Sequence, residues 1–520
     1  MSTAALRTYL TASRLSARGP IDWDAAPPRF KLYPDAPRIL LPPNTLGALL
    51  RDLCGVTRMI WMPTIDHQGH RNFGQPKVQY GRSAPSGGAL YPLDTYVALG
   101  RGELEPALYH YDSAHHCLEL LRPGDHRTAL LAQIENSPPA PAAVLVFATR
   151  FWRNGFKYGE FAYRLQTQEI GVLAAQAATL ATALGTTATL HLDFPDNRIN
   201  ALLGFAPNAE AALAICTVGT AEATEAGPTY KDLTTRPLPA PNDPPPPITD
   251  RLPATAALHT ATTASHPVTA SAADLGGDGG ALDAGAVDLG GDTAASYAGA
   301  ADLVAAAAAS AAASAAPGGA PTPISDGESL LVPVRSISLP RNVVALSAGI
   351  AGRSSPADGF YPTPVAANAL SALLQAAADH ASTLYCLINR VDGIPSGGYR
   401  YHRPAHSLFA LDGPFTPAIS CHPTVGEAAA VLVPVGDLYG GTAAHGPRWY
   451  RIQQAAVGAI LQRAALAATV LGLATRIHSG EDPDFGVHLG CRGDRMPLSA
   501  LLIGVPRRVS TLEQRIGAPL

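Results

Sequence analysis

Short blocks of apolar and polar positions predict a chain of mixed strands and helices. Residues 160–185 are small or apolar nearly all round a helical projection, which is typical of a helix at the centre of a domain or of an interface. Runs of strand length flank this helix, and the last of them is apolar throughout, as expected of a strand buried on both faces: 93–99, 108–112, 117–121 and 143–148. The pattern predicts an α+β unit that ends near residue 220.

The region before the strand at 93–99 is predicted to be a helix followed by a polar loop. The helix is indicated by apolar side chains at helical spacing, Leu46, Leu49, Leu50 and Leu53. The loop ends in Pro85-Ser86-Gly87-Gly88, called the glycine turn below. Two glycines and a hydroxyl let backbone amides approach a planar or anionic ligand, but Gly and Ser also punctuate ordinary turns. The residues alone leave a ligand cradle and a strand-entry turn equally open.

A change of composition separates this unit from the rest of the chain. Residues 221–330 are first Pro-rich and then rich in Ala, Gly, Asp and Ser, with no Lys or Arg between Arg251 and Arg335. Such a segment cannot bury enough apolar surface to offset its ordering entropy. A flexible linker is therefore predicted at 221–330, between a first half at 1–220 and a second half at 331–520.

The two halves are related by an internal repeat. One block matches at a spacing of 287 residues (450 − 163): Tyr163-Arg164-Leu165-Gln166 with Tyr450-Arg451-Ile452-Gln453, Gly171 with Gly458, and Gly185 with Gly472. A second block matches at 290 residues (399 − 109): Tyr109 with Tyr399 and His116 with His406. Nearly constant spacing over two separate blocks indicates a tandem duplication.

Charge, cysteine usage and apolar run length exclude several classes of function. The net charge is −4 without a dense basic block, which argues against nucleic acid as a partner. The six cysteines are scattered without metal-ligand spacing, so reduced thiols and no metal site are predicted. No apolar run in a folded region reaches the roughly 20 residues that span a bilayer, and the N-terminus lacks the apolar core of a secretory signal. We expect a cytoplasmic protein without membrane contact.

Several stretches stand in an order that indicates a family. In the first half they are Lys31-Leu-Tyr-Pro34, Pro85-Ser-Gly-Gly-Ala-Leu-Tyr-Pro92, Leu108-Tyr-His-Tyr-Asp112 and Phe151-Trp-Arg-Asn-Gly-Phe-Lys-Tyr-Gly159. Together they resemble the SagB-type, McbC-like azoline dehydrogenases, FMN enzymes of the nitroreductase superfamily that oxidise thiazoline and oxazoline rings in ribosomally made peptides. Residues 341–508 look like a more divergent copy, whose Gly352-Arg-Ser-Ser355 and Phe360 are similar to the superfamily's Arg-Arg-Ser start. The resemblance implies two nitroreductase-like domains, each a mixed, mostly antiparallel sheet with flanking helices, joined as an intrachain pseudo-dimer.

The resemblance also implies an FMN site divided between the halves. Family members hold FMN in a dimer interface, with the phosphate on the arginine/serine start of one subunit and the flavin ring beside the Pro-Ser turn of the other. Here only the first half has the glycine turn, and only the second half has Arg353, Ser354 and Ser355. One FMN site per chain is therefore predicted. Ser479, Gly480 and Arg507 are carried over as further FMN contacts, although a solvated strand end is an equal alternative for Arg507.

Lys157 and Tyr158 match the family's catalytic Lys-Tyr pair. Aromatising an azoline removes a Cα proton and a hydride, so a base and a positioning donor are required beside the ring. A lysine can act as that base only if burial or a nearby charge lowers its pKa, and without the resemblance Lys157 would read as a surface lysine. Ala444 and His445 replace the pair in the second half at the 287-residue spacing, which again indicates one active site.

The predicted function is FMN-dependent oxidation of thiazolines or oxazolines in a precursor peptide to thiazoles or oxazoles. A YcaO-type cyclodehydratase that forms the azolines is the implied partner, and further homo-oligomerisation is left open. One alternative is a nitroreductase-like flavoenzyme that uses NAD(P)H on another small substrate, which rapid flavin reduction by nicotinamide would reveal. The other is a flavin-free scaffold that binds a leader peptide, which a colourless preparation would favour.

Overall fold

The computed structural model describes most of both halves and part of the segment between them. The described residues are 2–16, 21–43, 45–65, 71–134, 140–220, 234, 237–263, 286–287, 336–378, 382–411, 423–479, 486, 489–491, 495–507 and 512–516. Within them the α-helices are Ser2–Ser16, Thr45–Cys54, Arg127–Leu131, Trp152–Tyr158, Ala162–Ala183, Asp196–Leu202, Pro253–Thr262, Ala367–Ala377, Pro423–Glu427, Leu438–His445 and Trp449–Val470.

The strands are numbered in chain order. Those of the first half and the connecting segment are β1 Arg38–Leu40, β2 Val56–Ile65, β3 Arg71–Arg82, β4 Leu93–Leu99, β5 Ala107–Asp112, β6 Cys117–Pro123, β7 Ala143–Arg150, β8 Ala188–His191, β9 Glu210–Val218 and β10 Ala286–Val287. Those of the second half are β11 Ser336–Ser338, β12 Phe360–Tyr361, β13 Thr383–Ile388, β14 Gly397–His402, β15 Ser407–Ala410, β16 Ala430–Asp437, β17 Ala474–His478, β18 Arg495–Pro497, β19 Ala500–Pro506 and β20 Leu512–Arg515.

Two large sheets have the same internal strand order. The first runs β1-β6-β5-β4-β7-β9-β8-β10, and the second runs β11-β15-β14-β13-β16-β19 with β17 also paired to β19. The ladders between these strands are antiparallel in both sheets. Strand by strand, the second sheet repeats the first. The predicted architecture of two related α+β units is confirmed.

Two long central helices form the contact between the halves, and they cross at a pair of glycines. A Cβ on Gly171 would overlap the carbonyl oxygen of Ala455, and a Cβ on Gly458 would overlap that of Gln168. Gln168 and Ala455 are themselves 287 residues apart (455 − 168), so the crossing is two-fold symmetric. The halves therefore pack as the predicted pseudo-dimer through the helices Ala162–Ala183 and Trp449–Val470.

The repeat extends to the conformation of equivalent hairpins. The Tyr111 hydroxyl lies 2.8 Å from His116 Nδ1, and the Tyr401 hydroxyl lies 2.7 Å from His406 Nδ1. Both histidines have left-handed backbones, with φ of 53° at His116 and 46° at His406. The matched histidines therefore belong to the hairpin structure, as the residue pattern suggested.

A second Pro-Ser-Gly-Gly sequence, which begins at Pro395, serves this same hairpin and is no second cradle. The Tyr399 hydroxyl donates to the Pro395 carbonyl at 2.7 Å, and the equivalent Tyr109 hydroxyl donates to the Glu105 carbonyl at the same distance. The 290-residue spacing aligns Pro395 with Glu105 (395 − 290). The repeat, and not the short motif, identifies the role of these residues.

The polar loop predicted before the glycine turn is wrong, because β2 and β3 form a long hairpin there. The C-terminal strand β20 pairs with the outer edge of β2, which makes a three-stranded sheet from both halves of the chain. Register shifts at Val56/Arg58 and at Met62/Thr64 interrupt the β2–β3 ladder. Such bulges break the two-residue alternation that would have indicated strands.

The flexible linker predicted at 221–330 is also wrong for residues 237–263. Asn242 exchanges hydrogen bonds with Leu32, and Asp243 forms an ion pair with Arg150 at 3.0 Å. The helix Pro253–Thr262 is largely buried, and the Glu160 carboxylate accepts the backbone N–H groups of Ala254 and Thr255 at 2.9 and 2.7 Å. Glu160, which is distant in the sequence, thus satisfies free backbone donors at the N-terminus of this helix, where negative charge is stabilising.

A search of the described residues for membrane-spanning helices finds none of sufficient length and apolar character.

Candidate functional site

The glycine turn is held by a buried carboxylate on the first central helix. Glu169 Oε1 accepts the Ser86 hydroxyl at 2.9 Å and the Gly87 backbone N–H at 3.0 Å. The Ser86 hydroxyl oxygen in turn accepts the Tyr91 backbone N–H at 2.9 Å. Burial raises the pKa of Glu169 to about 8, although the bonds from Gly87 and Ser86 and the charge of Arg82 lower it. The carboxyl group is therefore largely protonated at neutral pH, and it fixes the turn to the pseudo-dimer interface.

The backbone of the turn lies in a region that few residues adopt. Gly88 has φ of 62°, and the non-glycine residues Ala89 and Tyr91 have φ of 53° and 46°. Left-handed backbone is disfavoured for residues with a Cβ and persists only where the surroundings enforce it. Strain of this kind clusters at ligand clamps, so the geometry favours the cradle over an ordinary strand-entry turn.

Lys157 and Tyr158 lie directly against the glycine turn. They end the helix Trp152–Tyr158, which follows β7. A Cβ on Gly88 would lie 2.5 Å from the Tyr158 hydroxyl and 2.8 Å from Lys157 Nζ, so only glycine leaves room for the pair. Burial, and then the nearby Glu169, raises the pKa of Tyr158 to about 12.

The Lys157 ammonium lies near two aromatic rings and a second lysine. Its Nζ lies 5.0 Å from the centre of the Tyr158 ring and 5.7 Å from that of Trp23. On the same Trp23 ring, Lys77 Nζ of strand β3 lies 5.0 Å from the centre. Partial burial lowers the pKa of Lys157, and the charge of Lys77 lowers it further. This is the condition under which a lysine can serve as a base.

Arg353 of the second half contacts the backbone just before the glycine turn. Its Nε donates to the carbonyl of Ser83, 270 residues away in the sequence. Its Nη2 lies 3.5 Å from the carbonyl of Arg82. Burial, and then the charge of Arg58, lowers the pKa of Arg353 to about 10. The structure thus places Arg353 against residues 82 and 83, which directly precede Ala84 and the glycine turn.

Ser479 joins the same site through the first central helix. Its hydroxyl donates to Gln168 Oε1 at 3.1 Å and lies 3.2 Å from the Ser499 hydroxyl. Gln168 also donates to the Leu498 carbonyl at 3.0 Å. Ser479 of the second half and the glycine turn of the first half thus contact consecutive residues of this helix, Gln168 and Glu169.

The other predicted FMN contacts are Ser354, Ser355, Arg507 and Gly480. Ser354 and Ser355 are exposed beside the buried Arg353. Arg507 donates to the Phe360 carbonyl at 2.8 Å and forms an ion pair with Glu427 at 2.8 Å, so the structure gives it a partner other than the glycine turn. Gly480 lies outside the described residues.

Sequence reasoning missed three residues that shape this site. Glu169 lies in a helix whose spacing signalled only burial, and no local motif marks a carboxylate that caps a turn 82 residues away. Lys77 lay in the supposed polar loop, and Trp23 in the segment before Pro28 that no pattern resolved. The signal available in the sequence was Glu169 itself, a charged residue in a helix predicted to be buried. An unpaired carboxylate is rarely buried, so this residue could have been expected to have a specific partner.

Lys77→Met is expected to raise the pKa of Lys157, because a cationic neighbour that disfavours the protonated form is removed. The basic form of Lys157 then accumulates only at higher pH, so any rate that depends on it rises at higher pH. The chain has only four lysines, so ¹³C NMR of the reductively methylated protein can follow each titration. Lys77→Arg keeps the charge and should leave the pKa lowered. An unchanged Lys157 titration in Lys77→Met would show that Lys77 does not act on it.

Residues 40–220 match the nitroreductase family. The first half therefore contains a nitroreductase-family domain. The fold of the whole chain is similar to that of a putative nitroreductase from Anabaena variabilis, with a TM-score of 0.70 over 97% of this chain and 99% of that one, at 20% sequence identity. The second half thus shares the fold, although the family match itself falls in the first.

Two curated proteins are similar in sequence over part of the chain. The trifolitoxin-processing protein TfxB of Rhizobium leguminosarum bv. trifolii is 28% identical over 142 residues, which cover 25% of this chain and 38% of that protein. The putative nitroreductase MJ1384 of Methanocaldococcus jannaschii is 29% identical over 128 residues, which cover 24% of this chain and 63% of that protein. The matched region thus spans less than two thirds of either relative. The likeness to TfxB supports the predicted relationship to SagB-type and McbC-like enzymes.

Proposed function

We propose that the protein is an FMN-dependent dehydrogenase that oxidises thiazolines or oxazolines of a precursor peptide to thiazoles or oxazoles. The observation that carries the proposal is the convergence of Lys157 and Tyr158 with the glycine turn. Arg353 of the second half contacts Ser83, two residues before this turn. The likeness to the trifolitoxin-processing protein TfxB supports a role in the processing of a natural product. A YcaO-type cyclodehydratase is the partner that this substrate requires.

The residues present suit a flavin. Gly88, which has a left-handed backbone, brings main chain without a side chain against Lys157 and Tyr158, where a planar ring needs such an approach. Arg353 and Ser479 of the second half would hold the rest of the group, with Ser354 and Ser355 beside Arg353. Bound FMN supplies a two-electron acceptor for the hydride.

The residues of this chain have two tasks in the oxidation. Lys157 takes the Cα proton of the azoline ring in its neutral form, which the lowered pKa makes accessible. Tyr158, whose hydroxyl stays protonated because its pKa is raised to about 12, positions the ring by donating a hydrogen bond. The hydrogen bonds from Ser86 and Gly87 to Glu169 hold the turn against which both residues pack. One proton and one hydride leave the substrate for each azole formed.

The position related to this site by the pseudo-two-fold axis is closed. The 287-residue spacing aligns Ser479 with Leu192 (479 − 287). Arg448 Nε donates to the Leu192 carbonyl at 2.7 Å, and Arg448 Nη1 donates to the Asp196 carboxylate and, at 3.0 Å, to the carbonyl of Thr262 in the connecting helix. Burial would raise the pKa of Asp196, but Arg451 and Arg448 hold it at about 2, so this network stays ionised. The arrangement supports a single flavin site.

The proposal is tested with the purified chain, FMN and a peptide that carries a thiazoline or an oxazoline. Mass spectrometry is expected to show the loss of two hydrogens per ring, and only when FMN is present. A protein that binds FMN and is reduced rapidly by NAD(P)H, yet leaves the azoline intact, would instead be a nitroreductase-like enzyme for another substrate. A protein that binds the peptide but no flavin would be a scaffold.

A further inference from the structure

The helix Trp152–Tyr158, which carries the proposed base, is tied by a buried ion pair to the backbone that follows the glycine turn. Arg153 Nη1 and Nη2 donate to the two carboxylate oxygens of Asp94 at 2.7 and 3.0 Å. Arg153 Nη1 also donates to the Tyr91 carbonyl at 3.2 Å. The exposed fraction is 2% for Arg153 and 9% for Asp94. A forked contact of this kind fixes orientation as well as distance.

Arg153 and Lys157 lie on the same side of this helix, because they are four residues apart. A step of four residues advances about 6 Å along a helix. At one end of the step Lys157 Nζ lies beside Gly88, and at the other end Arg153 binds Tyr91 and Asp94. Two contacts thus set one side of the helix against the backbone from Gly88 to Asp94.

The helix has little internal support. It is seven residues long, it contains Gly155, and its N-cap Phe151 makes no side-chain capping bond. Isolated helices shorter than about 12–15 residues are marginal in water, and glycine weakens them further. Asn154 accepts a hydrogen bond from Gln166 of the central helix at 2.6 Å, which secures the side away from the turn. The position of Lys157 relative to the turn therefore depends on Arg153.

The ion pair is charged in the folded protein. Burial would raise the pKa of Asp94, but the charge of Arg153, and after it those of His110, Lys31 and Arg150, hold it at about 2. A buried ion pair gains little stability over two well-packed apolar side chains, because both charges lose their hydration. Stability alone thus does not account for charges at this position.

The second half builds the same fold without this ion pair. The 287-residue spacing aligns Arg153 with Gly440 (153 + 287). The strand in the place of β4 is β13, whose residues Thr383–Ile388 carry no charge. The equivalent helix Leu438–His445 is instead capped locally by Asp437, which accepts the Gly440 backbone N–H at 2.7 Å. The ion pair and the Lys-Tyr pair are thus present in one half and missing together from the other, although both halves form the helix.

We propose that Arg153 and Asp94 are positioning residues, whose ion pair holds Lys157 against the glycine turn. A general base must lie within hydrogen-bond reach of the proton that it takes, and a displacement of about 1 Å can cost roughly 100-fold in rate. The effect on oxidation rests on the proposed function. The effect on the position of Lys157 does not, and it can be measured without flavin or substrate.

The first experiment removes both charges together. Asp94→Leu/Arg153→Met places an apolar pair here and leaves neither charge buried alone, so the melting temperature of the full chain should stay close to that of the wild type. The ¹³C NMR signals of reductively methylated Lys157 report its position, because the Tyr158 and Trp23 rings shift them. In the double variant they should move towards the signals of a lysine free in solution.

Two further variants make this experiment decisive. Arg153→Lys keeps a charge opposite Asp94 but cannot form the forked contact, so it should shift the Lys157 signals in the same direction. Arg127→Met removes a buried arginine that is paired with Asp125 at 2.8 Å and donates to the Pro141 carbonyl, and it should leave the Lys157 signals unchanged. Wild-type signals in both Arg153 variants, or an equal shift in Arg127→Met, would overturn the proposal.

The second experiment measures FMN binding and azoline oxidation by the double variant. The kcat is expected to fall by roughly 100-fold, whereas the KM and the dissociation constant of FMN should stay within about twofold of the wild type. Losses in FMN affinity or KM as large as the loss in kcat would show general disruption of the site and overturn the positioning role. A wild type that oxidises no azoline, with Lys157 signals that still depend on the ion pair, would refute the proposed function and support the positioning.

Discussion

Lys157→Ala is expected to retain flavin and to lose at least about 100-fold in the rate of azoline oxidation, the lower range of general-base catalysis. Lys157 Nζ lies beside Gly88. Partial burial, and then the charge of Lys77, lowers the pKa of Lys157. Flavin binding should survive because the glycine turn is held by Glu169 and not by Lys157. Single-turnover mass spectrometry of an azoline peptide, with flavin absorbance measured on the same sample, checks both statements.

The duplication provides a matched control for this variant. His445 stands where Tyr158 stands in the first half, next to Ala444 in place of Lys157, at the end of the equivalent helix Leu438–His445. His445→Ala should therefore leave azoline oxidation unchanged. Near-normal turnover by Lys157→Ala would remove Lys157 from the reaction, and a comparable loss in His445→Ala would mean that the second half also houses chemistry.

Gly171→Ala is expected to destabilise the chain by about 3 kcal/mol, the upper range for an overpacked site. The added methyl group would overlap the Ala455 carbonyl oxygen of the opposite central helix. Backbone of one helix cannot move away without separating the two halves, so the cost is not relieved by a rotamer change. Urea unfolding followed by circular dichroism measures the effect.

Gly458→Ala and Gly102→Ala complete this test. Gly458 meets the Gln168 carbonyl in the symmetric contact and should give a similar loss of stability. Gly102 has open space around its Cα, so its alanine variant should be close to neutral. If Gly171→Ala is as stable as Gly102→Ala, the close crossing of the central helices is not the basis of the pseudo-dimer.

The duplicated architecture could be predicted because its signals are local and occur twice. Tyr163 and Tyr450 mark the same position of the two central helices, and in the structure their rings stack with centres 5.8 Å apart and planes 10° apart. Gly185 and Gly472, which follow these helices, have φ of 69° and 73°, a conformation that favours glycine. Where the backbone conformation favours the same residue type in both halves, that residue appears twice in the sequence at a constant spacing.

The hairpin β2–β3 could not be predicted because its stability comes from elsewhere in the chain. Its outer edge is paired by β20, whose residues Leu512–Arg515 are exposed and carry no strong strand pattern. The Ile516 backbone N–H donates to the Thr57 carbonyl at 2.8 Å, a contact that spans almost the whole sequence. Non-local pairing of this kind overrides local propensity.

The order in residues 237–263 has a similar cause. Composition correctly indicates that the segment has little apolar surface of its own. The segment is nevertheless ordered by contacts with residues of both halves. The His259 ring lies 3.0 Å from Arg451 Nη2 of the second half and 3.4 Å from the Tyr163 hydroxyl of the first. Burial, and then the charge of Arg451, lowers the pKa of His259 to about 3, so the ring is neutral in this interface. No reading of one segment alone contains these contacts.

The residues of the candidate site that could be named from the sequence are those that stand in short motifs. The glycine turn, Lys157 and Tyr158 are of this kind, and they lie against one another in the structure. Glu169, by contrast, contacts the turn only because the fold brings the first central helix against it. Local sequence carries the reactive groups, whereas the residues that orient them depend on packing.

The central claim is a single flavin site divided between the two halves, and the ratio of flavin to chain tests it most directly. The chain is saturated with FMN, freed of excess by gel filtration, and analysed by absorbance and native mass spectrometry. The account predicts one FMN per chain, because Arg448 and the connecting helix close the mirror-related position. Two FMN per chain, or none, would contradict it.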